Sequence, residues 1–559
     1  LIIKNPNVEW SFFTASFLHH LGVHYACITP GARNSPLIYA FTEKSGITCF
    51  SHVDERSSAF FALGLAKSTL NPVVVLSTSG TAAANFFPAI IEASLSRVPI
   101  IILSADRPKN LVGTGSNQTI NQEHLYGNHV RYFKDVGLPL KNMDSLEEIL
   151  QQAMNYLKGS DLEHPPGPIH LNFPFDEPLL PEDLRTLDIS KYSFKASIKN
   201  IGNTDDIQIL PKSSKPLIVV GPMDNDLQGR GIIKLANRMQ APIMADPLSQ
   251  FRYGFDNELI LAHYDHFLKV VDLKPDLILR FGRKPTSKIL CQLLDKWRSR
   301  VLLIDAWKQY NDNCPQFIQA SIDTYCERQI DFLNWKGDIE WKSLLIFLEK
   351  EIENLIHAET GFSEFLIART CLSSLKEGDQ LIIGNSMPIR DIDMFTSTSD
   401  VKIKIYANRG ASGIDGLIST GLGVAKGKDS QRSLLLIGDL SFYHDMNGLL
   451  ASQHGMDLTI VVINNGGGGI FSFLPIANTS MDTFSEYWMT NTYLNFKKAA
   501  DLYKCQYDLI KGIRELKVAI ETSFTKRGIK IIEVKTIIAD NVKSHHNFQK
   551  KVEQILVRY

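Results

Sequence analysis

The chain has 559 residues, 44% of them hydrophobic and 21% charged, a balance that fits a folded multidomain protein and excludes disordered, collagen-like and disulfide-scaffold classes. Lys and Arg number 59 against 60 Asp and Glu, so no global field draws in nucleic acid or an anionic membrane, and any anionic ligand must meet a local set of cations. Apolar runs such as 73–76, 100–103 and 460–463 fall far short of the ~20 residues needed to cross a bilayer. Seven scattered cysteines without a C-x-x-C pair argue against a disulfide framework or structural zinc and point to a reducing cytoplasm. No basic, apolar, small-residue leader opens the sequence, and the missing initiator Met leaves open whether Leu1 is the native start.

Residues 24–29, 48–53, 73–77 and 100–103 are short apolar segments rich in β-branched side chains, each followed by a polar or glycine cluster and then a helical stretch. That pattern predicts βαβ units on a parallel sheet. The clusters Pro30-Gly31, Asp54-Glu55, Thr78-Ser79-Gly80 and Ser104-Ala105-Asp106 then fall at the carboxyl ends of strands, where ligands gather in such sheets. A strand at 169–173 closes this region, and the Pro- and Asp-rich segment 174–212 is a connection, with a boundary near 183. A second α/β unit has strands at 216–221, 241–244, 277–281 and 301–305 and ends in the polar stretch 335–345. A third has strands at 380–383, 402–406, 434–437 and 458–463. The expected fold class is α/β, with three doubly wound, mainly parallel-sheet domains at 1–183, 184–345 and 346–559. Regions one and three share a strand, turn, helix and strand spacing that reads as a weak internal repeat.

Gly438-Asp439 directly follows one buried-strand pattern and Asn464-Asn465-Gly466-Gly467-Gly468-Gly469 directly follows the next. Both clusters should share one sheet edge. Mg²⁺ takes oxygen ligands in near-octahedral geometry, and Asp439, the Asn465 side chain and a glycine carbonyl can supply them, while the glycines admit a diphosphate close to the backbone. Taken singly, a Gly-Asp at a strand end is more often a helix cap and a glycine run more often a loop. The rival phosphate motifs fit poorly. Gly469 is followed by Ile470-Phe471 where a Walker loop has Lys and Ser or Thr, and Lys426 stands where a dinucleotide fingerprint begun at Gly421-Leu422-Gly423 needs its third glycine.

The pairing of Gly-Asp with Asn-Asn about twenty-five residues later resembles the signature of thiamine-diphosphate enzymes. One departure is that Leu440-Ser441 follows Gly-Asp where the wider family usually has another glycine. The resemblance implies thiamine diphosphate and Mg²⁺ (or Mn²⁺) as cofactors, a metal set of Asp439, Asn465 and Gly467, and an acidic side chain on the cofactor's pyrimidine ring. Glu55, at the end of strand 48–53 and the start of an apolar helix, matches that catalytic acid. By itself it is an ordinary acidic residue at a helix amino terminus, and Asp54 is its neighbouring rival. A helix amino terminus lowers a carboxyl pKa and burial raises it, and the sequence leaves that contest open.

Along almost the whole chain the sequence is similar to the menaquinone-pathway carboligases of that family. The matching stretches are Thr29-Pro-Gly-Ala-Arg33-Asn-Ser-Pro36, His52-Val-Asp-Glu-Arg56, Ser79-Gly-Thr-Ala-Ala83, Ser104-Ala-Asp-Arg-Pro108 and Asn117-Gln118. Others are Gly384-Asn-Ser-Met-Pro-Ile-Arg390, Asn408-Arg-Gly-Ala-Ser-Gly-Ile-Asp-Gly416 and residues 464–471. This resemblance implies decarboxylation of 2-oxoglutarate and addition of the resulting four-carbon unit to isochorismate. Arg390 and Arg409, with Ser386, match positions that hold the succinyl carboxylate; Arg33, Arg107, Asn117, Gln118 and Lys288 match the isochorismate side. Gly80, Ser386, Met387, Ile414, Gly438, Asp439, Leu440, Ser441, Asn465, Gly467 and Ile470 match cofactor contacts, Ile414 being the apolar prop between the cofactor's rings. Plain core packing is the other reading of Ile414. Phe471 and Leu474 would line the substrate pocket. Ala32 and Ile289 depart from residues common in the family, the second leaving Arg283 or Lys284 as alternative bases. The resemblance further implies a homodimer, or a dimer of dimers, with active sites between subunits. The alternatives are another thiamine-diphosphate 2-oxoacid decarboxylase or carboligase of the acetolactate-synthase type, and a non-catalytic cofactor-binding regulator.

Overall fold

The structure is a computed structural model that describes residues 5–43, 45–139, 143–159, 164–181, 192, 194, 208–223, 229–307, 312–428 and 431–559. The first sheet holds β1 (Tyr25–Ile28), β2 (Thr48–Ser51), β3 (Val73–Ser77), β4 (Ile100–Asp106), β5 (Tyr132–Asp135) and β6 (Ile169–Pro174), in the order β2-β1-β3-β4-β6-β5. The second holds β7 (Pro216–Val220), β8 (Ile243–Ala245), β9 (Ile260–Leu261), β10 (Leu277–Phe281), β11 (Val301–Asp305) and β12 (Phe317–Gln319), in the order β12-β11-β10-β7-β8-β9. The third holds β13 (Gln380–Ile383), β14 (Lys404–Ala407), β15 (Ser433–Gly438), β16 (Leu458–Asn464), β17 (Gln506–Ile510) and β18 (Ile529–Lys535), in the order β14-β13-β15-β16-β18-β17. Neighbouring strands pair in parallel throughout, as the α/β expectation required. The expected boundary near 183 lies outside the described residues. The one at 345/346 falls inside the continuous helix Ile339–Ala358.

The first and third sheets have the same permutation, which gives the weak repeat a physical form. In both, strand order reverses between the first and third strands of the sheet, β1 and β3 in one and β13 and β15 in the other. Such a switch point leaves a crevice at the strands' carboxyl ends. The middle sheet switches between β7 and β10, but there the two following loops are joined, with Arg283 N–H donating to Pro222 O at 3.0 Å.

Burial explains why these segments are strands. Residues of β3, β4, β7 and β10 are buried from end to end, as parallel strands covered on both faces must be, and each buried Val, Leu or Ile is worth about 1.5–3 kcal/mol. Trp10, Phe13 and Phe17 of the helix Pro6–His20 join Val74, Leu76, Ile101 and Leu103 in the core of the first sheet.

Two compact units emerge. One comprises Leu1–Ile201, Asn408–Asp429 and His444–Met456, the other Gly202–Ala407, Ser430–Tyr443 and Asp457–Tyr559. Within the first, the helix Glu55–Thr69 packs on the helix Leu417–Gly427 at glycine contacts. A Cβ at Gly64 would sit 2.0 Å from Thr420 O, and one at Gly423 would sit 2.0 Å from Phe61 O. Gly423 thus serves helix packing, and any larger residue would force the backbones apart.

Asp445, fully buried in the same unit, accepts the Ser419 N–H at 2.7 Å and its hydroxyl at 3.1 Å. Burial pushes its carboxyl up to about 7. A carboxyl raised on folding holds its proton more tightly in the native state, so its contribution to stability declines as pH rises from about 4 toward 7. The isosteric, uncharged Asp445→Asn is therefore expected to raise the urea midpoint at pH 8 and change it little at pH 4, with at most about 1.4 kcal/mol gained per pH unit between. A larger gain at pH 4 than at pH 8 would contradict this assignment.

Candidate active site

At the third sheet's switch point, β15 ends at Gly438 and Asp439 opens the helix Asp439–His444. The register pairs Ile383 with Leu436 and Gly438 with Ile463, so the loops carrying Ser386, Asp439 and Asn465 emerge side by side. The Asp439 carboxylate is 2% exposed and accepts the N–H groups of Leu440 at 2.7 Å and Gly466 at 2.8 Å. Burial still pushes it up to about 6, against the pull of those backbone donors and of Gly467. A cation beside it would reverse that shift. Asn465 Oδ1 accepts the Gly467 N–H at 3.3 Å. Only glycine fits at 467, because a Cβ would lie 2.1 Å from Met489 O, where the segment Ser485–Met489 closes on the loop.

One carboxylate, one amide oxygen and a glycine-loop backbone thus converge from two adjacent strand ends. Among the described residues no group of three or more His, Cys, Asp or Glu could hold a metal, so a soft-metal or all-carboxylate centre is not what this site offers. The donor set is all oxygen with a single carboxylate, and it fits Mg²⁺ or Mn²⁺ beside a diphosphate.

The neighbouring loop is built to face the same edge. Ser386 takes a left-handed backbone conformation, φ 71°, at the start of the helix Met387–Phe395, and Arg390 one turn later donates to the Ser386 carbonyl. Met387 and Ser441 are buried, Leu440 and Ile470 half-buried. The turn Gly469–Phe473 leaves Phe471 half-buried and Leu474 beyond it 42% exposed. Lys288 lies elsewhere in this unit, exposed on the middle sheet at the start of the helix Lys288–Lys296, close in sequence to half-buried Arg283 and exposed Lys284.

The other unit has its own polar edge. The register of β1 with β2 and β3 brings the loops holding Arg33, Glu55 and Gly80 together, and Arg107 follows β4. Asp54 caps the helix Glu55–Thr69, its Oδ1 accepting the Ser57 N–H at 3.1 Å. That occupies Asp54 and separates it from Glu55. Burial raises the Glu55 carboxyl above its ordinary value and the Asp54 charge adds to this, against the lowering by its own backbone N–H. Burial therefore wins the contest that the sequence left open.

Arg107 donates to Ser79 Oγ and, at 2.6 Å, to Gln118 O. Its proton affinity is lowered by burial and by the nearby charge of Arg33, so the two arginines form a local cationic pair. Arg33 is held by the Phe175 carbonyl at 3.1 Å and Glu177 at 3.2 Å. Gln118 Nε2 donates to Ser79 O at 3.1 Å, while Asn117 is exposed.

Three supports escaped the sequence reading. Gln122 Oε1 accepts the Gly80 N–H at 2.9 Å, and its Nε2 donates to Asn172 Oδ1 at 2.8 Å. Asn172 Nδ2 then reaches Asp106 and Asp135, each at 3.0 Å. Glu92, 2% exposed, accepts the N–H groups of Gly410 at 2.9 Å and Ala411 at 2.7 Å, which fastens the loop bearing Arg409 and Ile414. Polar residues inside apolar patterns, Asn172 in β6 and Glu92 in the helix Phe87–Ser96, were the available signals. Ile414 is 39% exposed, so plain core packing does not account for it.

The chain matches the N-terminal TPP binding domain of thiamine pyrophosphate enzymes over residues 11–125, their middle domain over 190–383 and their C-terminal TPP binding domain over 404–534. It is 39% identical to the 2-succinyl-5-enolpyruvyl-6-hydroxy-3-cyclohexene-1-carboxylate synthase of Listeria innocua, over 97% of this chain and 98% of that protein. The enzyme of the same name from Geobacillus kaustophilus is 36% identical over 97% of each. Among solved structures, benzoylformate decarboxylase from Polynucleobacter necessarius superposes with a TM-score of 0.69 at 15% identity, covering 95% of this chain and 98% of that one, which is a likeness of fold.

Proposed function

Because the chain belongs to the thiamine-diphosphate enzymes and, within them, to the 2-succinyl-5-enolpyruvyl-6-hydroxy-3-cyclohexene-1-carboxylate synthases, we propose that it decarboxylates 2-oxoglutarate and adds the remaining four-carbon unit to isochorismate. The observation that carries this reading is the all-oxygen set of Asp439, Asn465 and Gly467 at a switch point, with Arg390 on the helix that follows the neighbouring loop.

When bound, thiamine diphosphate supplies the electron sink for decarboxylation and the carbon that attacks the oxoacid. Asp439, Asn465 and the Gly467 carbonyl would hold Mg²⁺ or Mn²⁺, and Gly438, Leu440, Ser441, Met387 and Ile470 would contact the cofactor. Gly80 and Glu55 would meet its pyrimidine ring, where a carboxyl whose hold on its proton is tightened by burial can hydrogen-bond and exchange that proton. Ile414, exposed on its fastened loop, would be the apolar prop against the cofactor. Both substrates are dianions. Arg390 and Arg409, with Ser386, bind the remote carboxylate of 2-oxoglutarate, and the Arg33 and Arg107 pair with Asn117, Gln118 and Lys288 binds isochorismate. Phe471 and Leu474 exclude water from the reacting carbon.

On the same reading the enzyme is cytoplasmic. It works as a homodimer or dimer of dimers, the pyrimidine end of one copy completing the diphosphate end of another. Among the described residues no helix is long and apolar enough to cross a membrane.

The test is to incubate the purified chain with 2-oxoglutarate, isochorismate, thiamine diphosphate and Mg²⁺ and weigh the product. An adduct of isochorismate plus 2-oxoglutarate less carbon dioxide is expected, and turnover of pyruvate in place of 2-oxoglutarate would favour an acetolactate-synthase-like activity. In the same assay Arg390→Ala should raise the KM for 2-oxoglutarate about 10–100-fold, the worth of a charge-assisted hydrogen bond. An effect confined to isochorismate would reverse the two ends of the pocket.

A further inference from the structure

A carboxamide has two ends of equal shape and opposite hydrogen-bonding character, so the end that meets a cation is decided by whatever holds the other. The Asn465 Nδ2 donates to Glu364 Oε1 at 3.1 Å, and the Thr536 hydroxyl donates to the same oxygen at 2.8 Å. Two donors from different strands converge on one carboxylate oxygen. With its nitrogen committed there, Asn465 turns its Oδ1 toward the glycine loop, 3.3 Å from the Gly467 nitrogen.

Each member of this arrangement is itself anchored. Glu364 is 1% exposed and opens the helix Glu364–Ser373, whose cap Ser363 accepts the Leu366 N–H at 3.4 Å. Thr536 follows β18, and its N–H donates to Asn464 O at 3.0 Å. On the far side a Cβ at Gly469 would lie 2.8 Å from Asn465 Nδ2, so glycine there keeps the amide against Glu364. A buried carboxylate with no role in solubility, aimed at the nitrogen of a candidate metal-binding amide, is how proteins orient such ligands from behind.

We infer that Glu364 is a positioning residue that presents the Asn465 oxygen to the divalent cation. The inference rests on the reading that Asp439, Asn465 and Gly467 hold that cation. On that reading Glu364 acts through Asn465, whose nitrogen it accepts.

Isothermal titration of thiamine diphosphate into the full chain over a Mg²⁺ series, with no oxoacid present, reads cation affinity apart from turnover. Glu364→Gln retains an acceptor oxygen and is expected to stay within about threefold of the parent. Glu364→Met cannot accept, and should weaken Mg²⁺ dependence about 10–100-fold. Glu364→Asp keeps the charge but withdraws the acceptor by one methylene, and should also weaken it, which covers a Met variant that fails to fold. Urea midpoints of the Mg²⁺-free proteins supply the structural control. Parent-like Mg²⁺ dependence in the Asp variant would overturn the inference, as would a loss of affinity matched in Glu364→Gln. Asp439→Asn, measured alongside, separates the two levels. If it binds Mg²⁺ like the parent, the metal site itself is misassigned; if it alone loses Mg²⁺, only the role of Glu364 fails.

Discussion

Glu55→Gln is expected to bind thiamine diphosphate within about threefold of the parent chain while turnover of 2-oxoglutarate falls about 100–10,000-fold, the usual worth of a general acid–base group. Glutamine has the same length, and its amide can still hydrogen-bond the ring, so binding survives. It cannot exchange a proton at that atom. The structure makes Glu55 the better candidate than Asp54, because Asp54 is engaged as a helix cap while burial lifts the Glu55 carboxyl. Binding by calorimetry and turnover by carbon dioxide release check the two halves separately. Parent-like turnover would remove Glu55 from the reaction.

Asp439→Asn should weaken Mg²⁺-dependent retention of thiamine diphosphate on the order of 100-fold or more, since Mg²⁺ is usually held through one or two carboxylates and this donor set has one. The fold should persist. An asparagine oxygen can still accept the Leu440 or Gly466 N–H that Asp439 accepts now at 2.7 and 2.8 Å. Equilibrium dialysis with and without Mg²⁺ measures the loss, and circular dichroism checks that the protein is intact. Unchanged retention would take the cation away from this edge and leave Asp439 as a helix-opening residue only.

Asp439 and Asn465 end strands that are buried along their length, and such strands are nearly continuous apolar runs, so their ends stand out. The expected strands at 73–77, 277–281, 301–305 and 380–383 coincide with β3, β10, β11 and β13 for the same reason. Of the six strands at sheet margins, β2 and β14 were expected, at 48–53 and 402–406, and the other four were missed. β5 and β17 are largely half-buried or exposed, and their sequences, Tyr-Phe-Lys-Asp and Gln-Tyr-Asp-Leu-Ile, mix polar and apolar residues without a clean run. β9 and β12, at two and three residues, are too short to carry a period.

Local pattern by itself determined the α/β class and the clusters at the strand ends, while the repeat between the first and third regions was only weakly legible until the sheet order showed it. Whether Glu55 is raised or lowered, whether Ile414 belongs to the core, and which groups stand behind the site depended on packing between distant segments. Glu364 meets Asn465 across 101 residues of chain, and Glu92 meets Gly410 across 318. A carboxylate in an apolar helix looks alike in sequence whether it is stranded or fastened to a loop hundreds of residues away. Only closure of the tertiary structure supplies the donor, and with it the direction in which a neighbouring side chain can point.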